Sequence, residues 1–300
     1  MSTMVPQLYA GLVDDASLVP PSPTAPADAV TKFREHATSW YAALIGTLLL
    51  PASLVGTSLS GTSFTGASFT GADSPGTGAA PRLSAGLIGD VPPSALPVTV
   101  EKLRAAGLPV AYVEAPVARR GEDPQPGIAM LRSFAAAHPE LPVYAEIPLS
   151  WGLLAALDTV AAARDAGLAI APKFRVGGLA AELFPTPVEL AAVICACRDR
   201  SLPFKLAAGL RHATRHTDPE TGFTHHGFLN VLVASVIAAG GGEVAEVAEA
   251  LAATHPVPLV EPARVHRDVE RPLFLGFGAV NVVEPLTELV RLGLINGGYE

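Results

Sequence analysis

The sequence predicts an α/β fold, a closed (β/α)8 barrel of the TIM type. Short apolar runs alternate with longer helical patterns about eight times along the chain, the signature of parallel strands joined by helical crossovers. At 300 residues the chain suits one such barrel, which usually occupies ~250 residues. Helix-to-strand junctions are also tight: in Ala106-Gly107-Leu108 and Ala166-Gly167-Leu168 a glycine closes a helical pattern and a strand begins at once. A doubly wound open sheet satisfies the same alternation, but the strand count and the punctuation favour closure. The expected organisation is one barrel domain over 1–300, with a low-complexity insertion at 52–81 after the second strand.

Strands are expected near 7–13, 47–51, 83–89, 109–115, 142–147, 168–174, 203–208 and 273–280, where apolar residues run between proline and glycine punctuation. Between them, Leu153, Leu157, Val160 and Ala161 form one apolar stripe and Leu190, Val193, Ile194 and Cys197 another, the spacing of helices packed on a sheet. Thr186-Pro187-Val188-Glu189 reads as a capping box with proline at the first helical position. Gly107, Gly167 and Gly293 are placed to end helices in the left-handed conformation.

Hydrophobic residues make up 49% of the chain and charged ones 16%, ample for a large core. The net charge of -8 and the lack of any basic run argue against nucleic acid as a partner. No run of ~18 apolar residues exists, and MSTMVPQLYAGLVDD has no basic segment followed by an apolar core, so no membrane association or export is expected. The two cysteines, Cys195 and Cys197, lie two apart on a predicted helix, where they point to different sides. With no disulfide framework, a cytoplasmic location is expected.

From Ala52 to Gly76 the chain reads ASLVG TSLSG TSFTG ASFTG ADSPG, with Leu54, Leu59, Phe64 and Phe69 at a five-residue period. This segment resembles the pentapeptide-repeat family, which implies coils of a quadrilateral β-helix. It covers near one coil, and solenoid units need stacked neighbours. An irregular excursion in place of the second barrel helix is expected.

In a barrel, catalytic groups project from the C-terminal ends of strands, so charges inside apolar runs single out candidates. Glu114 lies in VAYVEAP, Glu146 in VYAEIP, Lys173 and Arg175 in IAPKFRVGG, and Lys205 in LPFKLAAGL. Alternate strand positions point the same way, so two carboxylates and two lysines from consecutive strands can share the barrel mouth. The alternative is a salt-bridge belt closing the core. A desolvated lysine beside another cation loses its proton more readily and can attack a carbonyl as a neutral amine. Lys205 beside Lys173 suits that arrangement. Lys173 and Lys205 with Ala208-Gly209 resemble the class I aldolases of the deoxyribose-phosphate type. The resemblance implies Schiff-base chemistry; the threonine-rich surroundings of that family's strand are absent.

The segment GLRHATRHTDPETGFTHHGF follows the seventh predicted strand. Arg211 and Arg215 are suited to grip a carboxylate or phosphate. His212, His216, His225 and His226 offer a general base or metal ligands, and a solvated loop is the alternative reading. Asp14 and Asp15, at the end of the first strand, could serve as acid and base or hold a cation, or Asp15 could simply begin a turn. Gly276 and Gly278 in FLGFGAVN could bring backbone amides to an anion or allow close packing.

The phrases VDDASLVPP, KFRVGG and PFKLAAGLRH with HHGFLN together resemble a family of uncharacterised bacterial proteins, which implies no particular activity. The expectation is therefore an enzyme, a Schiff-base lyase acting on a small anionic carbonyl compound. Lys205 would be the nucleophile, Lys173 its neighbouring cation, and Glu146 or Glu114 the proton shuttle. Arg175, Arg211, Arg215, His212, Asp15, Gly276 and Gly278 would surround the substrate. This reading needs no cofactor and allows a homo-oligomer. A metal-assisted hydrolase or isomerase would need a divalent ion, with His212, His216 and Asp14 as candidate ligands. A non-catalytic ligand-binding or scaffold barrel is the third reading; it predicts lysines engaged by carboxylates with no open cavity between them.

Overall fold

Eight short strands lie side by side in a computed structural model of the chain, which describes residues 5–20, 23–56 and 84–297. They are β1 (Val13–Asp15), β2 (Ile45–Pro51), β3 (Ala85–Ile88), β4 (Val110–Pro116), β5 (Val143–Glu146), β6 (Ile170–Arg175) and β7 (Phe204–Ala207). After a small antiparallel hairpin of β8 (His216–Thr217) and β9 (Thr224–His225) comes the eighth, β10 (Phe274–Ala279). They close into a parallel barrel in the order β1-β10-β7-β6-β5-β4-β3-β2, so the fold is an α/β barrel of the TIM type.

Nine helices surround it among the described residues: α1 (Pro26–Thr38), α2 (Leu96–Ala105), α3 (Gln125–Ala137), α4 (Leu153–Asp165), α5 (Pro187–Asp199), α6 (Phe228–Ala239), α7 (Val244–Ala252), α8 (Val257–Val265) and α9 (Val283–Arg291). None of the described helices is long and apolar enough to cross a membrane. The Thr186 side chain accepts the Glu189 amide at 3.3 Å, while the Glu189 carboxylate accepts the Thr186 amide at 2.7 Å, completing the capping box of α5. At the ends of α2 and α4, Gly107 and Gly167 take φ of +80° and +89°. The next amides then reach back five residues, Leu108 to the Leu103 carbonyl at 3.0 Å and Leu168 to Ala163 at 3.1 Å, turning the chain directly into a strand.

One local expectation differs from the structure. The run at 7–13 is not the first strand: Gln7–Tyr9 is a single 3-10 turn and β1 begins at Val13. An apolar run reports burial, and Leu8, Tyr9 and Leu12 are fully buried in turn conformation, with Gly11 at φ +60° breaking any extension. After β2, Ala52–Gly56 forms a 3-10 turn whose Leu54 and Val55 pack on the core; the rest of the five-residue repeat lies outside the described residues.

Strand alternation divides the side chains. Val113, Ala115, Val143, Ala145, Phe174, Leu206 and Phe277 face outward into the large core shared with the helices. Each large apolar side chain buried there contributes about 1.5–3 kcal/mol relative to exposure. The inward set differs: a small apolar cluster of Ala16, Leu49 and Tyr112, and the buried charges Asp14, Glu114, Lys173 and Lys205. Gly86 is the register partner of Tyr112, and a Cβ on Gly86 would lie 2.5 Å from the Tyr112 ring. The missing side chain on β3 is what admits the phenol.

Candidate active site

Register brings the charged positions together. Glu146 on β5 pairs with Lys173 on β6, and Lys173 pairs with Lys205 on β7. Glu114 comes from β4 and Asp14 from β1 on the far side of the closed barrel. The Lys173 ammonium lies 2.6 Å from Glu114 Oε1 and 2.9 Å from Glu146 Oε2. Lys205 Nζ lies 2.6 Å from Asp14 Oδ2, donates to the Tyr112 hydroxyl at 2.6 Å and lies 3.6 Å from Glu114 Oε2. Arg175 reaches Glu146 Oε1 at 3.4 Å. Three carboxylates thus face two ammoniums and one guanidinium, a balance that makes burial of so many charges tolerable.

Asp14 is fixed from several directions. Its Oδ1 accepts the Thr47 amide at 2.7 Å and the Thr47 hydroxyl at 3.1 Å, and its Oδ2 accepts the Tyr112 hydroxyl at 2.8 Å. The Tyr144 ring stands edge-on to Tyr112, with centroids 5.0 Å apart. Burial raises the Tyr112 phenol well above its ordinary range and lifts Tyr144 to about 12. Both rings are therefore neutral walls, Tyr112 bonding Asp14 and Lys205 through its hydroxyl and Tyr144 presenting its ring 5.0 Å from Lys205 Nζ. Burial alone would push the Lys173 ammonium down, but the Glu114 and Glu146 carboxylates outweigh it and hold the pKa above its ordinary value. Glu146 is pulled below the carboxylate range because Lys173 and Arg175 outweigh its own burial. Among the described residues, Glu114 Oε2 has no hydrogen-bond partner although it is buried.

A cavity of about 540 Å³ opens over this cluster at the C-terminal ends of the strands. Glu114, Glu146, Lys173 and Lys205 line its floor side and Arg175, Arg211, Gly278, Asn281 and Glu284 are also in its wall. That volume is within the range of small-molecule sites, and the face is the one where barrels carry their active sites.

The remaining sequence candidates lie elsewhere. Asp15 is directed away from the cavity and accepts the Ser17 amide at 2.8 Å; burial raises its pKa. Gly276 is beside Lys205 in register, but a Cβ there would meet the Leu12 carbonyl at 2.6 Å, which makes close strand packing its visible role. His212 bonds Glu288 at 2.8 Å, and the same carboxylate accepts the Ala213 amide. His216 stacks against His225 across the hairpin at 5.2 Å. Arg215 contacts His226 Nδ1 at 3.4 Å, and His226 Nε2 meets the Pro185 carbonyl at 2.8 Å. That arrangement requires a neutral His226 with its proton on Nε2, consistent with a pKa driven by burial down to about 4. Among the described residues no group of three His, Cys, Asp or Glu side chains is arranged to hold a metal ion. Cys195 and Cys197 are buried and free.

Sequence reasoning passed over Thr47, Tyr112 and Tyr144. The two tyrosines stand two positions before Glu114 and Glu146 on the same strands, so the period-2 rule that selected the carboxylates also places these rings on the same face.

Compared with known proteins, the chain matches no protein-family model and no curated protein.

Proposed function

We propose that the barrel is a cytoplasmic enzyme acting on a small anionic carbonyl compound, a carbon–carbon lyase that works through a Schiff base on Lys205. The observation that carries this reading is the convergence of two lysines and three carboxylates under an open cavity of about 540 Å³. A salt-bridge belt that only closed the core would leave no such space above it.

Lys205 is favoured over Lys173 because of their partners. Lys173 carries two carboxylates at 2.6 and 2.9 Å and is a fixed cation. Lys205 has one close carboxylate, Asp14, and a neutral phenol. In the proposed sequence, Lys205 passes a proton to Asp14 and its amine adds to the carbonyl carbon. The carbinolamine hydroxyl then recovers a proton from Asp14 and leaves as water, giving the protonated imine. Glu114 Oε2, which accepts no hydrogen bond and lies 3.6 Å from Lys205 Nζ, removes the proton of the substrate's β-hydroxyl. The carbon–carbon bond breaks with its electron pair drawn to the iminium, releasing an aldehyde and an enamine; protonation and hydrolysis return the amine. Lys173 stands by the carbonyl oxygen as a positive charge, and Arg175 and Arg211 in the cavity wall meet the anionic end.

Cyanoborohydride reduction in the presence of small 2-oxo acids, hydroxyaldehydes and their phosphates, followed by peptide mass analysis, tests this. A reduced adduct on Lys205, lost in Lys205→Met, is expected. Turnover without an adduct, or an adduct on Lys173 instead, overturns the mechanism. The absence of both turnover and adduct, with ligands still bound, would favour a binding barrel.

A further inference from the structure

A second cavity, of about 760 Å³, lies beside the first. Leu149 from the β5–α4 connection with Leu153 and Leu154 from the first turn of α4, and Leu183 and Phe184 from the β6–α5 connection with Val193 of α5, line it, and Arg120, Glu182 and Glu189 add charge to its wall. The two cavities share exactly one boundary pair in the cluster described above, Glu146 and Arg175, whose 3.4 Å contact separates them. Arg175 is half exposed, with its guanidinium held by a single carboxylate at long range. Such a contact in partial solvent contributes little and is easily exchanged for another anion. Apolar surface also extends along the rim: Leu154 is 58% exposed, and Trp151 and Leu179, in the same two connections, are exposed as well.

The pattern is that of one elongated site. A chamber floored by buried lysines and carboxylates adjoins a larger chamber in which leucines and a phenylalanine supply the apolar wall beside Arg120, Glu182 and Glu189, with a guanidinium at the junction. An apolar chamber that opened only to solvent could take any greasy molecule; one that meets the lysine chamber at Arg175 selects a molecule with both characters. We propose that the second cavity binds the apolar chain of the substrate whose carbonyl end lies over Lys205, so that the substrate class is a carbonyl acid bearing an aliphatic or aromatic tail. The placement of the carbonyl rests on the function proposed above; the apolar subsite does not.

Fatty acids without a ketone or aldehyde separate the two, since they cannot form an imine. Butyrate and octanoate are titrated into the intact protein by calorimetry. Burial of one methylene tightens binding about fourfold, so the four extra methylenes of octanoate, even partly buried, should tighten it at least about tenfold. Leu154→Glu, a change at an exposed helix position that the fold tolerates, should erase most of that preference. Equal affinities for the two acids, or a preference that survives both Leu154→Glu and Phe184→Ala, overturns the subsite. Failure of reductive trapping with the chain-length preference intact overturns only the imine reading. Trapping of pyruvate and 2-oxooctanoate at equal concentrations for half-saturation overturns only the subsite.

Discussion

Replacing Glu114 by glutamine keeps its shape and removes its charge, and the structure sets the size of the effect. Removing one partner of a buried ion pair costs about 3–5 kcal/mol when the other charge is left alone. Here neither lysine is left alone: Lys173 keeps Glu146 at 2.9 Å and Lys205 keeps Asp14 at 2.6 Å. Glu114→Gln should therefore cost roughly half of that, about 2 kcal/mol by the same reasoning. Urea unfolding followed by circular dichroism measures it, and at the ~2 °C per kcal/mol expected of a chain this large the melting temperature should fall about 4 °C. An exposed pair serves as control: removing Arg104, which bonds Glu101 at 2.9 Å and Glu140 at 2.6 Å on the surface, should cost less than about 1 kcal/mol.

The sign of the pH dependence follows from Lys173. Its pKa in the fold is raised above 10.5, so the stability it contributes is fully present below pH 10.5 and disappears as pH climbs through the folded-state value. With Glu114 neutralised that value drops, and the alkaline loss begins at lower pH. A glutamine variant as stable as the parent, with an unchanged alkaline limb, would refute the account: desolvation of the cluster would then outweigh its attractions, and Glu114 would not be what holds Lys173 charged.

Gly86→Ala places a Cβ 2.5 Å from the Tyr112 ring; displacing the phenol from Lys205 should cost about 1–3 kcal/mol in urea unfolding and slow adduct formation on Lys205. His226 is neutral in the fold with a pKa of about 4 against an ordinary 6.5. The unfolded chain therefore takes the proton first as pH falls, and stability should decline between pH 6.5 and about 4 by up to ~3 kcal/mol, a slope that His226→Asn removes in denaturation series run across that range. Arg271 donates to the carbonyls of Leu8, Ala10, Phe274 and Leu275 at 2.6–3.1 Å; Arg271→Lys cannot reproduce that fork and should cost about 2–4 kcal/mol in the same assay.

The barrel was legible because its strands are apolar on the outward face and punctuated by glycine and proline, and the inward charges were legible because Glu114, Glu146, Lys173 and Lys205 interrupt those runs. Their pairing was not. Lys205 and Asp14 are 191 residues apart, and only closure of the barrel, which sets β1 against β10 and β10 against β7, brings them together. Tyr112 and Tyr144 were hidden for a different reason: an aromatic ring in an apolar strand reads as core, and its hydroxyl declares a function only once its neighbours are polar. The loop after β7 offered arginines and histidines without indicating contacts. In the fold Glu288 occupies His212, and Pro185 and Arg215 occupy His226, so of that loop only its first residues, Gly209 to Arg211, reach the cavity.

Two charged sites in the one molecule can be set against each other. Arg271, at the N-terminal end of the strands, is satisfied by four backbone carbonyls, and burial lowers its pKa only to about 10, so it stays charged. It lies at the face where barrels keep stabilising contacts. At the other end, the lysine cluster spends several desolvated charges where leucines would pack at no such cost, since apolar replacements of buried ion pairs are often neutral or stabilising. It leaves one buried carboxylate oxygen without a hydrogen bond and stands open to a cavity. A structural network has reason to be complete, as at Arg271. An incomplete one under an open mouth is where a ligand would complete it, and the ligand is expected beside Lys173, Lys205 and Glu114, which line that cavity.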